Sequence, residues 1–190
     1  MTTRSTMGRR QCLGLGLIAL AGGALPRIAT AADMTSFDTP SFELVMNLLV
    51  TCSDPQAVGG DAASKDGKRT EIWPIVGGRF EGKGIRGEVI PGGGDFPVTR
   101  PDGVEVIDAL YRLKTDDGVQ IIIHNKGLYY PATAGAPQRF RLVPDFTAPV
   151  GKYDWLNRAI FLSTLVEVPE AMKLAGPGQN DRLIQVYRVN

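Results

Sequence analysis

Seven side chains in this sequence have the chemistry to hold or transform a small molecule: Arg69, Asp95, Tyr111, His124, Asn125, Trp155 and Asn157. Tyr111, Asp95 and His124 are the candidates for moving a proton, since general acid–base work needs a titratable group within hydrogen-bond reach of the reacting atom. If buried, Asp95 would have its pKa raised and could act as a base. Arg69 offers a planar fork for a carboxylate or enolate oxygen. Asn125 and Asn157 offer amides, and Trp155 a ring face, so these four are the candidates for binding. Each also has a plain structural role open to it. Arg69 can pair with Glu71 or Asp95 at a rim. His124 can face outward, because Ile121, Ile123 and Asn125 share the opposite side of a strand. Trp155 can be core or a barrel plug, and Asn157 can satisfy backbone in a turn.

Other chemistries have no footing. One histidine and, past the N-terminal segment, one cysteine do not make a zinc or iron cluster. No Gly-x-Ser-x-Gly is present to seat a nucleophilic serine. Asp116 and Asp117 look like paired carboxylates, but they precede Gly118 and shape a turn, where Asp bonds its own backbone. The glycines at 92–94 are not followed by a helix or by Lys-Ser/Thr, so they form a turn and not a phosphate cradle. No cofactor motif is visible, and none is expected. There is no basic cluster with interleaved aromatics, which excludes a nucleic-acid footprint.

The element that must position these groups is a hairpin over residues 104–127. Two runs rich in β-branched and apolar residues flank Asp116-Asp117-Gly118. Ile107, Ala109, Tyr111 and Leu113 fall on one face of the first run, Val106, Asp108, Leu110 and Arg112 on the other. The second run brings His124 and Asn125. Upstream, residues 42–51 predict a strand, 54–67 a surface loop, 68–75 a strand with Pro74 at an edge or bulge, and 79–81 a short run after a Gly77-Gly78 turn. Residues 91–96 predict a loop. Downstream, 139–143 and 159–168 predict strands. Residues 169–181 predict a loop with one helical turn at 170–174, and 182–189 a last strand. Many short strands with Gly/Pro turns and no long amphipathic helix mean an all-β antiparallel sandwich or barrel. A barrel has the merit of leaving no sheet edge exposed. Cys52 suits a buried small hydrophobe near a strand end.

The chain divides into residues 1–31, a lead-in over 32–41 and one domain over 42–190. Arg9-Arg10 precede an apolar run ending at Pro26, and Ala29-Thr30-Ala31 offers small residues to a signal peptidase. The run is shorter than the roughly 20 apolar residues a membrane-spanning helix needs. It resembles a bacterial twin-arginine signal, which exports folded proteins. The expectation is a periplasmic or secreted protein, with no stable membrane insertion after cleavage. The alternative is an uncleaved anchor. Removing this segment takes four arginines and no acids, so the formal charge falls from +1 to −3.

The order of the pieces resembles the DUF3237 (UPF0311) family. The residues that carry the resemblance are Gly67-Lys68-Arg69, Pro74-Ile75, Gly77-Gly78, Phe80-Glu81-Gly82, Gly87, Val89-Ile90-Pro91-Gly92-Gly93 and Asp95. After them come Asp102-Gly103, Ala109-Leu110-Tyr111, Thr115-Asp116-Asp117-Gly118, Ile121, Asn125-Lys126-Gly127, Trp155-Leu156-Asn157 and Phe161. The resemblance implies a single antiparallel β-barrel, similar to lipocalin-like barrels, with an interior cavity. Some fungal relatives look like cyclising enzymes of natural-product pathways, including pericyclic and hydroalkoxylation chemistry. A family fold does not carry a reaction with it. Three readings stand. The leading one is an exported barrel that binds an oxygenated, ring-containing small molecule. The second is a cofactor-free isomerase, cyclase or lyase acting by proton transfer in the cavity. The third is an interaction module with a filled barrel. Whether the chain is an enzyme, and whether it forms a homo-oligomer, stay open.

Overall fold

Strand alternation, carried through the whole domain, rolls this chain into a ring. The computed structural model describes residues 39–59 and 63–190; residues 1–31, expected to be a signal segment, and most of the lead-in fall outside them. The strands are β1 (Phe42–Ser53), β2 (Gln56–Ala57), β3 (Arg69–Gly82), β4 (Ile85–Asp95), β5 (Val98–Thr99), β6 (Glu105–Thr115), β7 (Gln120–Tyr130), β8 (Arg139–Thr147), β9 (Ile160–Val166) and β10 (Gln179–Val189). Eight of them pair antiparallel in the order β1-β10-β9-β8-β7-β6-β4-β3, and β3 pairs back onto β1. The closure pairs both edges of β1 and gives each of the eight long strands a neighbour on either side, with β8 and β9 joined through one pair, Leu142 and Ser163. The two short strands extend β3, and β5 also pairs with β6. The only helical pieces among the described residues are two 3-10 turns, Asp154–Arg158 and Glu170–Met172.

The central hairpin follows its pattern closely. Ile107, Ala109, Tyr111, Leu113 and Thr115 are buried inward on β6, while Leu110, Arg112 and Lys114 are exposed. Ile121, Ile123 and Asn125 are buried inward on β7. At the tip, Gly118 N donates to Thr115 O at 2.8 Å, and Gly118 holds a φ of 87°.

Three expectations about elements need correction. Gly77-Gly78 is not a turn, and residues 91–96 are not a loop: β3 and β4 run straight through both glycine groups. The ladder accommodates them as bulges, with register shifts between Ile75 and Arg79 and between Ile90 and Gly94. Glycine in a sequence marks either a turn or a bulge, and only pairing across strands tells which. Likewise β10 begins at Gln179, three residues before its expected start. On β1 a bulge between Leu44 and Met46 turns both Val45 and Met46 into the core. Leu49 and Leu183, paired across β1 and β10 on the outer face, are buried as well. The segment that crosses outside them is the 169–178 loop, pinned by Arg79 Nη2 donating to Met172 O at 3.1 Å.

The core fills one end of the cylinder. Phe161 meets Phe146 edge-on at 5.1 Å and Trp155 at 6.0 Å. Tyr153 and Leu156, from the 3-10 turn between β8 and β9, close that end over Ile121, Ile123, Leu113 and Val186.

Candidate functional site

The opposite end of the barrel is open. Here the last residues of β4, β7 and β9 meet the first residues of β6, β8 and β10. They enclose a cavity of about 610 Å³ lined by Trp73, Glu105, Ile107, Tyr129, Phe140 and Arg182, among others. Below it lies a second, small chamber of about 40 Å³, walled by apolar side chains together with Cys52, Asp95, Tyr111 and Asn125. Asp95, Ile107, Phe140, Leu165 and Arg182 line both spaces and form the neck between them. The cylinder is thus solid at one end and hollow at the other.

Tyr111 is buried in the wall of the chamber. It is 2% exposed, and its hydroxyl is the one buried side-chain polar atom among the described residues with no hydrogen-bond partner. Leaving such a group unsatisfied costs on the order of 1–3 kcal/mol. Burial pushes its pKa well above the ordinary phenol range, so the hydroxyl stays protonated and remains a donor. The backbone makes room for this ring deliberately. β4 carries its bulge opposite Tyr111: Gly92 has a φ of 99°, and a Cβ on Gly93 would lie 2.5 Å from Tyr111 Cβ. Only glycine lets the two strands approach so closely at that point.

Asp95 ends β4, paired with Trp73 on one side and Ala109 on the other. Its Oδ1 accepts from Asp108 N at 3.1 Å. Burial is the main influence on its carboxyl and outweighs that hydrogen bond and nearby Arg182, pushing the pKa up to about 6. Glu105, also at the mouth, is raised chiefly by burial and then by Glu71 and Asp95. Arg182 lies with its guanidinium carbon 4.5 Å from the Trp73 ring centroid, a cation–π contact that holds the charge at the neck. Asn125 is 1% exposed, and its Oδ1 accepts from Ser163 Oγ at 3.3 Å. Burial lifts the Cys52 thiol to about 11, so it contributes a neutral wall and no nucleophile.

Of the seven residues singled out in the sequence, the fold brings Asp95, Tyr111 and Asn125 into one chamber. The other four stand elsewhere. His124 is on the outer face of β7, where Nε2 lies 2.5 Å from Asp108 Oδ1. Arg69 is exposed at the start of β3, paired through backbone with Thr99. Trp155 packs at the closed end against Phe161. Asn157 is at that end too: its Oδ1 accepts from Ala148 N and its Nδ2 donates to Ala148 O, both at 2.8 Å. His124, Arg69, Trp155 and Asn157 are therefore not neighbours of the chamber. Strand alternation explains His124; Trp155 and Asn157 lie at the opposite end of the barrel, and Arg69, though at the mouth end of β3, stands exposed on the rim beside β5. The residues not singled out are Trp73, Glu105 and Arg182. A signal for two of them was present: Glu105 shares a strand face with Ile107 and Tyr111, and Arg182 shares one with Ile184 and Val186. Among the described residues, no three His, Cys, Asp or Glu side chains converge as a metal-holding group.

Chemically, the site offers a protonated phenol aimed at a small chamber, a carboxyl raised by burial to about 6, and a guanidinium at the neck. The fold has close counterparts. A β-barrel-like protein of Acinetobacter baumannii superposes with a TM-score of 0.67 at 21% identity, covering 80% of this chain and 98% of its own. A structure described as an enzyme from Penicillium herquei superposes with a TM-score of 0.60 at 20% identity, covering 82% of this chain and 98% of its own. In sequence, a UPF0311 protein of Clostridium acetobutylicum is 30% identical over 154 residues, covering 75% of this chain and 96% of that protein. The family model described as protein of unknown function (DUF3237) matches residues 40–189. With almost every described residue inside that match and the barrel shared by its structural neighbours, the chain belongs to the DUF3237 family.

Proposed function

We propose that the open end of this barrel binds an oxygenated, ring-containing small molecule. The ring body would occupy the mouth, among Trp73, Tyr129 and Phe140, and an oxygen of the ligand would reach down to Tyr111. The observation that carries this reading is the Tyr111 hydroxyl, a buried donor with no partner in the protein. Such a group is costly unless something else accepts from it. The mouth, at about 610 Å³, is in the size range of small-molecule sites, and its aromatic walls alternate with charged groups, among them Glu105, Arg139, Glu167 and Arg182, that suit an oxygenated ligand. The inner chamber is too small for a ring and admits only a polar tip.

A second reading has its own support. A carboxyl raised to about 6 is poised to exchange protons at neutral pH, which favours a cofactor-free proton-transfer enzyme. The Penicillium herquei neighbour, described as an enzyme, is in keeping with it. The N-terminal Arg9-Arg10 segment supports export of the folded protein.

Native mass spectrometry of protein purified from its own host tests the binding reading. A co-purifying small molecule that is retained by wild type and lost from Tyr111→Phe is the expected result. A molecule retained equally by both variants would remove Tyr111 from recognition, and displacement by Trp73→Ala alone would place the site wholly in the outer mouth.

A further inference from the structure

Asp95 of β4 stands opposite Ala109 of β6, and Ala109 stands opposite Asn125 of β7. The short methyl of Ala109 leaves a notch between two longer polar side chains. Tyr111 follows two residues along β6 on the same inward face. All four line the chamber of about 40 Å³, a space for a few non-hydrogen atoms at most. Apart from the neutral Cys52 thiol and Arg182 at the neck, the rest of its wall is apolar, including Val50, Ile75, Ile107, Leu142 and Ile184. A functional group entering it meets the unpartnered Tyr111 hydroxyl, with the Asn125 amide beside it and Arg182 at the neck, and one carboxyl, Asp95. A carbonyl with its neighbouring carbon has the right size, and it is the group whose chemistry needs a donor at oxygen and a base at carbon.

This inference rests on the binding reading above and names its substrate class. We propose that the chamber enolises a ring ketone or similar carbonyl compound: Asp95 removes a proton from the carbon beside the carbonyl while Tyr111 donates a hydrogen bond to the carbonyl oxygen. The C–H bond breaks and its electron pair forms the new C=C. The carbonyl π pair moves to oxygen, where the Tyr111 hydroxyl stabilises the charge. The proton waits on Asp95 and returns either to oxygen, giving the enol, or to a farther carbon of a conjugated substrate, giving a shifted double bond. Nothing is oxidised or reduced, so no cofactor or co-reactant enters. Tyr111 keeps its own proton throughout, as its raised pKa requires, and acts as a preorganised oxyanion donor from a buried position. Asp95 is ionised above about pH 6 and weakly solvated there, the condition a carbon base needs.

Three probes test this: 1-indanone, 2-tetralone and cyclohex-2-enone, each incubated with the protein in D₂O. Loss of the exchangeable α- or γ-proton NMR signals measures enolisation, and saturation-transfer NMR measures binding separately. Wild type is expected to accelerate exchange of at least one bound probe above the buffer rate, with the rate rising through about pH 6. Asp95→Asn, which keeps the oxygen that accepts from Asp108 N, is expected to lower the rate by about 100-fold or more with binding retained. Tyr111→Phe is expected to lower it by about 100-fold. Lys126→Ala, on the outer face, should leave it unchanged. Binding with exchange at the buffer rate for every probe overturns the enolisation while the binding reading stands. Full exchange in Asp95→Asn, or a flat pH profile, removes Asp95 as the base. If no probe binds, the proposal fails together with the ring-ligand reading of the mouth.

Discussion

The two ends of this barrel treat their polar groups in opposite ways. At the closed end each one is used up by the fold. Asn157 makes two bonds to Ala148. The Tyr153 hydroxyl donates to Asp117 at 2.9 Å, and Asp117 also accepts from Thr115 Oγ1 and from Lys152 Nζ. Those bonds, led by the one from Thr115, hold the Asp117 carboxyl down at about 2. At the open end, Tyr111 has no partner and Asp95 is raised to about 6. Both ends use the same residue types, Tyr and Asp, on the same kind of strand scaffold. The difference shows that residue type alone does not mark a site. Polar groups whose bonding capacity the fold consumes stabilise it, and those left unconsumed in a cavity are available to a ligand.

Substitutions that act at one end only can break this contrast. Phe161→Ala should have the largest effect, a loss of about 3–5 kcal/mol in denaturant unfolding, because Phe161 is 1% exposed and meets both Phe146 and Trp155. Ligand occupancy per folded molecule should not change. A loss of occupancy at full folding would mean that the two ends are coupled.

Asp95→Asn comes next, and its sign depends on pH. A carboxyl that titrates higher in the folded than in the unfolded chain makes the folded state bind more protons between the two values. Wild-type stability should therefore fall as pH rises from about 4 to about 6, by up to about 3 kcal/mol for a shift of roughly two units. The Asn variant should lack that component and be the more stable protein at pH 7. Parallel stability–pH curves for the two proteins would show that Asp95 is not desolvated in solution.

Asn157→Ala should cost about 1–2 kcal/mol, since it leaves both backbone groups of Ala148 without their partners. No loss of stability is expected from Tyr111→Phe, and without ligand a gain of about 1 kcal/mol or more, because an unpartnered buried hydroxyl is removed and no protein bond is lost. The contrast is sharpest between these two: Asn157→Ala should weaken the fold and spare binding, and Tyr111→Phe should do the reverse. A destabilisation by Tyr111→Phe of about 2 kcal/mol would mean that its hydroxyl is satisfied within the protein.

Much of the barrel was readable one strand at a time. Period-two alternation in residues 104–115 put Ile107, Ala109, Tyr111 and Leu113 on one face, and the fold buries that face. The same alternation in residues 120–125 set His124 against Asn125. The glycine groups were not readable in this way. Gly77-Gly78 and Gly92-Gly93-Gly94 carry the composition of turns, and their role as bulges depends on which strand they face. Leu49 and Leu183 also break the inward–outward rule, because a later loop crosses the outside of β1 and β10.

Local order in the chain by itself determined most of the strands outside the glycine groups, where the central hairpin turns, and that Tyr111 points the same way as Ile107 and Leu113, because side-chain direction in a strand is set by covalent geometry. Tertiary structure alone decided that Arg182 lies on Trp73 and that Asp95 and Asn125 flank Ala109. It also decided that Trp155 and Asn157 sit at the far end from all of them. These placements require the ring to close through β1, and the room left inside depends on the summed volume of side chains from eight strands packed to interior density, a quantity no single stretch of sequence contains.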